Sequence, residues 1–288
     1  MHLAPFTPEQ QRRARARGLL VAGTTGFEAL RGAPGLTWPE FALATFSSNL
    51  PYSYSLHPRE VEAFWAAIVR ANRDFISIWP VGMRGTRDWP FWMDDPAAPT
   101  SMVERARLIT RVIQRQCALL DHELGPDPAR AFIFTMRNEG LELYRTGQLG
   151  LPANTMLVWD DWPKTGRIRS LPAAREAVRP GGHGVYYHLT SSQAQWIQHI
   201  PPALIAAELT RAYRAGVNSY VRFNVGDLRE FLLSTAAAMD TAWRTPHYLA
   251  TPGAPRVFTE QWCARHFGGA RAAQIADLYE QLIDLENR

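Results

Sequence analysis

The chain has 288 residues, 46% hydrophobic, 11% aromatic and 20% charged, enough apolar chain to bury one large core or two modest ones; a disordered chain, a collagen-like repeat and a disulfide-stapled miniprotein are excluded. The formal net charge is +4, and of the 31 basic residues only Lys164 is a lysine; the arginines are scattered among acids rather than gathered in a stripe, so nucleic acid is not an expected partner. Cys117 and Cys263 lie far apart with no metal-type spacing, so neither zinc nor an oxidising compartment is indicated. No apolar run approaches the ~18 residues of a membrane span. The basic N-terminal segment precedes only a five-residue apolar run, which does not make a secretory signal, and the cytoplasm is the default expectation.

Taken in chain order, the pattern alternates helices with short apolar strands. Residues 8–17 are charged and start with proline, which predicts a helix; 19–22 are apolar and run into Gly23-Thr24-Thr25, which predicts a strand and turn. Residues 57–73 place Val61, Phe64, Trp65, Ile68 and Val69 at helical spacing, and 75–81 (FISIWPV) form a strand that Pro80 ends. Residues 101–124 carry an apolar stripe from Val103 to Leu119, a long amphipathic helix. Strands follow at 131–136, 155–159, 184–189 and 219–225, with helices at 139–146, 205–215, 230–243 and 259–286. The Pro- and Gly-rich stretch 245–256 reads as a separator. About six short, buried-looking strands with crossover helices argue for an α/β fold with a parallel sheet. Domain limits of 1–245 for the α/β body and 246–288 for a C-terminal helical segment follow.

Most strands end in groups able to do chemistry: Arg84 and Asp88 after the first, then Asn138 and Glu139, then Asp160 and Asp161. Tyr186 and His188 share one strand face, as do Arg222 and Asn224, with Asp227 beyond. In a β/α barrel these strand ends meet at one rim, where active sites are built. Each has a plainer reading: Glu139 as a first-turn glutamate beside an Asn138 cap, Arg84 and Asp88 as a local ion pair, one of Asp160 and Asp161 as a turn residue, His188 as a core histidine.

The same residues carry a resemblance. GMRGTRD (82–88) resembles the GMRG-x-x-D signature of glycoside hydrolase family 115, the xylan α-1,2-glucuronidases. RNEGLELYRTGQLGLPANTMLVWDD (137–161), GHGVYYHL (182–189), FNVGD (223–227), AGTTGFEAL near the start and WCARHFG (262–268) resemble further family segments, in family order. The resemblance implies a (β/α)8 TIM-barrel-like fold about two β/α units short, with the C-terminal segment opening a helical region. It implies inverting hydrolysis by Glu139 with Asp88 or Asp160, two carboxylates roughly 6.5–9.5 Å apart across the sugar ring. Substrate contacts fall to Arg84, His188, Asn224, Asp161, Glu28, Tyr186 and Trp162.

The expected substrate is a glucuronic or 4-O-methylglucuronic acid side chain of xylan-type polysaccharide. Arg84 and His188 are the groups expected to meet its carboxylate, and Trp89, Trp92 and Trp162 are candidate sugar-stacking faces. No cofactor, metal, nucleic acid or membrane is implied. The chain departs from the pattern at Trp162-Pro163, where the family has an asparagine, at Ser191 for a tyrosine, and at Gly26-Phe27 around a histidine. Two other readings therefore stand beside the glycosidase: a degenerate homologue that binds uronic-acid-containing carbohydrate, and a barrel fragment completed by a partner chain or by a second copy in a homodimer.

Overall fold

A computed structural model describes residues 9, 12–13, 16–17, 37–74, 78–87, 89–190, 197–226 and 229–286. The strand and turn expected at 19–25, most of the helix at 8–17, and Glu28, Asp88, Ser191 and Asp227 lie outside them. The chain divides into two compact units, 1–157 and 158–288.

In the first unit, helices α1 (Trp38–Phe46) and α2 (Pro58–Asn72) precede strand β1 (Ile78–Pro80). Long helix α3 (Met102–Leu124) then crosses over to β2 (Ala131–Thr135), which pairs parallel with β1 in the register Ile78↔Ala131 to Pro80↔Ile133. Such a β-α-β crossover needs a helix with one apolar stripe. Ile109, Val112, Ile113 and Leu120 supply it and are all buried. Helix α2 packs against α3. Its Phe64 also closes an aromatic core with Trp38 and Tyr52, at ring-centroid separations of 5.6 and 6.3 Å. Ser101 caps α3, its hydroxyl accepting from the Glu104 N–H at 3.2 Å. Short helix α4 (Glu139–Arg145) follows β2 directly.

Strand β3 (Thr155–Trp162) leads into the second unit, where β4 (Arg167–Ile168) turns back on it antiparallel. β3 therefore runs three residues beyond the expected 155–159, because its end gains a hairpin partner, and Asp160 and Asp161 lie inside the strand rather than in a turn. Strand β5 (His183–His188), helix α5 (Pro202–Arg214) and strand β6 (Tyr220–Asn224) form a second crossover, with β5 and β6 parallel from Gly184↔Tyr220 to His188↔Asn224. The order in this unit is β3-β5-β6, with β4 on β3.

Helices α6 (Leu232–Trp243), α7 (Thr245–Ala250), α8 (Ala254–Phe267) and α9 (Ala272–Glu286) complete it. Leu233 and Ala237 of α6, Phe258, Trp262 and Cys263 of α8, and Ala272 and Ala276 of α9 form a shared core. The expected separator 245–256 is thus mostly helical. Two of its three prolines, Pro246 and Pro255, stand in the first turns of α7 and α8, where a fixed φ favours the helix and no N–H is missed. The single helix expected at 259–286 is broken at Gly268, whose φ of +90° ends α8. The architecture is the expected mixed α/β one, with parallel strands joined by helices and a helical C-terminal segment.

Candidate active site

In the first unit, the chain leaves β1 through Gly82, whose φ of +108° favours glycine. Buried Gln116 of α3 grips that residue from both sides: Gly82 N–H donates to its Oε1 and its Nε2 donates to the Gly82 carbonyl, each at 2.8 Å. Two residues on, the Arg84 guanidinium lies 2.9 Å from Glu139 Oε1. Glu139 opens α4 and is 5% exposed. It is delivered there by two unusual backbone positions. Asn138 holds a φ of +47°, costly for a residue with a side chain. Gly140 lies so close to β2 that a Cβ would stand 2.6 Å from the Thr135 carbonyl oxygen. Arg84, Arg137 and Glu139 line a cavity of about 80 Å³ together with Ile133 and Phe134, far below the roughly 300–1,000 Å³ of whole-ligand pockets and sized for one small polar group.

The loop beyond Arg84 is tied down by carboxylates. Asp94 accepts from the Thr86 N–H and from Thr86 Oγ1, and Asp95 accepts from Ser53 Oγ at 2.6 Å and from the Ser55 N–H at 3.1 Å. Of the expected stacking faces, Trp89 carries the Arg87 guanidinium 5.1 Å from its ring centre, and Trp92 carries that of Arg105 at 3.9 Å. Each thus has one face taken.

In the second unit, consecutive residues of β3 leave on opposite faces, so Asp160 and Asp161 part company. Asp161 is fully buried and meets His188 twice: the His188 N–H donates to Oδ2 at 2.8 Å, and its Nδ1 stands 2.6 Å from Oδ1. A carboxylate only accepts, so Nδ1 carries the proton and Nε2 is left as the ring's other polar atom. On the same strand the Tyr186 ring lies 4.4 Å from that of His188, centre to centre, and its hydroxyl accepts from Asn224 Nδ2 at 2.8 Å. Arg222, opposite Tyr186 in the register, places its guanidinium 4.6 Å from the tyrosine ring centre. Asp160 is buried, with Arg169 Nε 3.7 Å from its Oδ1. The Arg169 guanidinium covers Trp162 at 3.8 Å, and Trp162 is 52% exposed.

The neighbouring residues of β5 do different work. His183 accepts from Trp159 Nε1 at 3.1 Å through Nδ1, and its Nε2 reaches the Glu176 carbonyl at 2.6 Å. Both nitrogens are satisfied by the neutral ring, and burial lowers its pKa. Tyr187 donates to the Gly166 carbonyl at 2.6 Å, and burial pushes its phenol far up.

The first unit therefore brings Arg84 to Glu139. The second brings Asp161 to His188, Tyr186 to Asn224, and Asp160 to Trp162 through Arg169. Sequence reading missed Gln116 and Arg169. The one available signal for Arg169 was the Lys164-Thr165-Gly166 turn, which returns the chain beside Asp160.

Residues 2–288 match the model of glycosyl hydrolase family 115. The solved structure of BtGH115A, described as a novel family GH115 4-O-methyl-alpha-glucuronidase with specificity for decorated arabinogalactans, matches with a TM-score of 0.82 and 23% identity. The match covers 97% of this chain and 35% of that one, so the chain spans about a third of its length; at that identity the likeness speaks for the fold. No curated protein matches the chain.

Proposed function

The chain belongs to glycosyl hydrolase family 115, and on that premise we propose that it is a glycosidase releasing glucuronic or 4-O-methylglucuronic acid side chains from a decorated polysaccharide. Xylan-type glycans are the first substrates to test. Decorated arabinogalactan, named for BtGH115A, is the second. The observation that carries the reading is Glu139, a buried carboxylate at the head of a short helix, set against Arg84 at 2.9 Å. A carboxyl group so placed suits acid–base work on a glycosidic oxygen.

In the inverting mechanism, Glu139 acts with Asp88 or Asp160. One protonates the leaving oxygen, and the other activates water from the opposite face of the ring. Arg84 meets the carboxylate of the uronic acid, since a guanidinium donates to it; His188, its Nδ1–H held by Asp161, offers Nε2 as an acceptor to a sugar hydroxyl. Tyr186, Asn224, Glu28 and the open face of Trp162 serve the sugar. Asp161, buried with both oxygens on His188, serves as a positioning residue. Hydrolysis belongs to residues 1–245, and 246–288 form a helical segment beside it in the sequence. Release of 4-O-methylglucuronic acid from glucuronoxylan is the test: Glu139→Gln should lower it by about 10²–10⁴-fold. Equal release by both proteins would end the role of Glu139. The anomer first seen by NMR decides for or against inversion.

One observation favours a second reading. Trp162, half-exposed, stands where the family pattern has an asparagine, which suits a homologue that binds uronic-acid carbohydrate without cleaving it. Calorimetry showing binding with no turnover would select it. A homodimer or partner chain that completes the site is read by light scattering of the active species.

A further inference from the structure

The hairpin 162–169 is anchored far more firmly than its position at a strand end requires. Thr165 and Gly166 N–H groups donate to the Trp162 carbonyl at 2.9 and 3.0 Å. Gly166, at a φ of +61° that favours glycine, would bring a Cβ within 3.0 Å of the Ile200 side chain, and its carbonyl accepts from buried Tyr187. The Ile168 N–H donates to Oε2 of buried Glu208 at 2.8 Å, and Arg211 Nη2 donates to the Ile168 carbonyl at 2.9 Å. Yet what this frame presents is an exposed indole. Residues 157–161 are buried, and Trp162 emerges at 52%. A fixed, half-exposed aromatic ring is a stacking surface for a ligand rather than a core residue out of place.

Arg169 joins that ring to the carboxylate behind it. The β3–β4 register pairs Asp161 with Ile168, so the next step sets Arg169 opposite Asp160, and its N–H donates to the Asp160 carbonyl at 2.9 Å. Cross-strand partners share a face, and Trp162, two residues along, shares it too. One guanidinium thus stands 3.7 Å from Asp160 Oδ1 and 3.8 Å from the centre of the Trp162 ring.

We infer that Arg169 is a positioning residue that serves both halves of this site, fixing the Trp162 ring for a pyranose of the glycan and supplying the counter-charge of Asp160. The inference rests on the glycosidase reading for its catalytic half only. A planar cation alone does both: lysine keeps the charge without the flat stacking face, and methionine keeps an apolar contact without the charge. The test measures kcat and KM for release of 4-O-methylglucuronic acid from a decorated xylo-oligosaccharide. Arg169→Lys should raise KM about tenfold while kcat stays within about threefold of wild type; Arg169→Met should do the reverse.

Arg169→Ala should suffer both losses. Parallel loss of kcat and KM in all three variants, tracking their melting temperatures, would overturn the inference, and so would three variants like wild type. If the wild-type protein binds the oligosaccharide without cleaving it, the glycosidase reading fails and not this one. Calorimetric Kd then replaces KM, and Arg169→Lys must still bind about tenfold more weakly than Arg169→Met. Wild-type protein that does not bind the oligosaccharide refutes the platform itself.

Discussion

Replacing Asp161 by asparagine should reverse the proton on His188. In the native protein the carboxylate accepts from the His188 N–H and from Nδ1–H. Asparagine offers one acceptor and one donor. Its oxygen can keep the backbone N–H, but its NH₂ then faces Nδ1, which must give up its proton and accept; the ring proton moves to Nε2. Because the carboxylate is fully buried and the ring is 5% exposed, solvent cannot repair the loss. Both hydrogen bonds to a charged group are exchanged for neutral ones, at a cost of about 1–2 kcal/mol in all. At roughly 2–4 °C per kcal/mol for a chain of this size, the melting temperature should fall by about 2–8 °C. Asp161→Ala, which leaves two buried donors unpaired, should lose more, about 3–5 kcal/mol. The decisive assay is the nitrogen NMR of the His188 ring, with melting curves alongside. An Asp161→Asn protein that still carries its proton on Nδ1 and melts like wild type would refute the argument that this buried carboxylate sets the tautomer.

Two further outcomes follow from the geometry. His183 is neutral in the fold, with its pKa lowered by burial, while the unfolded chain takes up a proton near pH 6.5. Its contribution to stability is therefore complete above about pH 6.5 and lost as pH falls below it toward the lowered folded value. His183→Gln, which can accept from Trp159 and donate to the Glu176 carbonyl without titrating, should flatten the melting temperature across that window. An unchanged slope would count against His183. Gly140→Ala should force α4 away from the Thr135 carbonyl, at about 1–3 kcal/mol, and displace Glu139. Glucuronic acid release should drop more than stability does, and a fully active, stable Ala variant would show that the close approach is not needed.

Much of the fold was legible because burial writes periodicity into sequence. The stripe of α3 and the short apolar runs of β2 and β5 follow from one-sided and two-sided burial respectively. Helix α1 was missed for the converse reason. WPEFALATF is apolar around much of its circumference and shows little amphipathic period, although Thr37 and Glu40 form the reciprocal cap that marks a helix start, with the Thr37 N–H donating to Glu40 Oε2 at 3.0 Å. Tertiary pairing was the other blind spot. Nothing local says that Gln116 reaches Gly82, because those partners lie on elements joined only by folding, and for Arg169 only the turn at 164–166 hints at a return beside Asp160. Residue types at strand ends were legible as candidates. Their division into pairs, above all Asp161 turned toward His188 rather than outward, required coordinates.

The hairpin between β3 and β4 has a practical corollary in bioconjugation. Lys164 is the chain's single lysine, and it sits exposed in that turn, between Trp162 and Arg169. An amine-directed fluorophore can therefore attach only there and at the terminal α-amino group. The near-absence of lysine makes the unmutated protein its own site-specific reporter for events at the indole beside the tag.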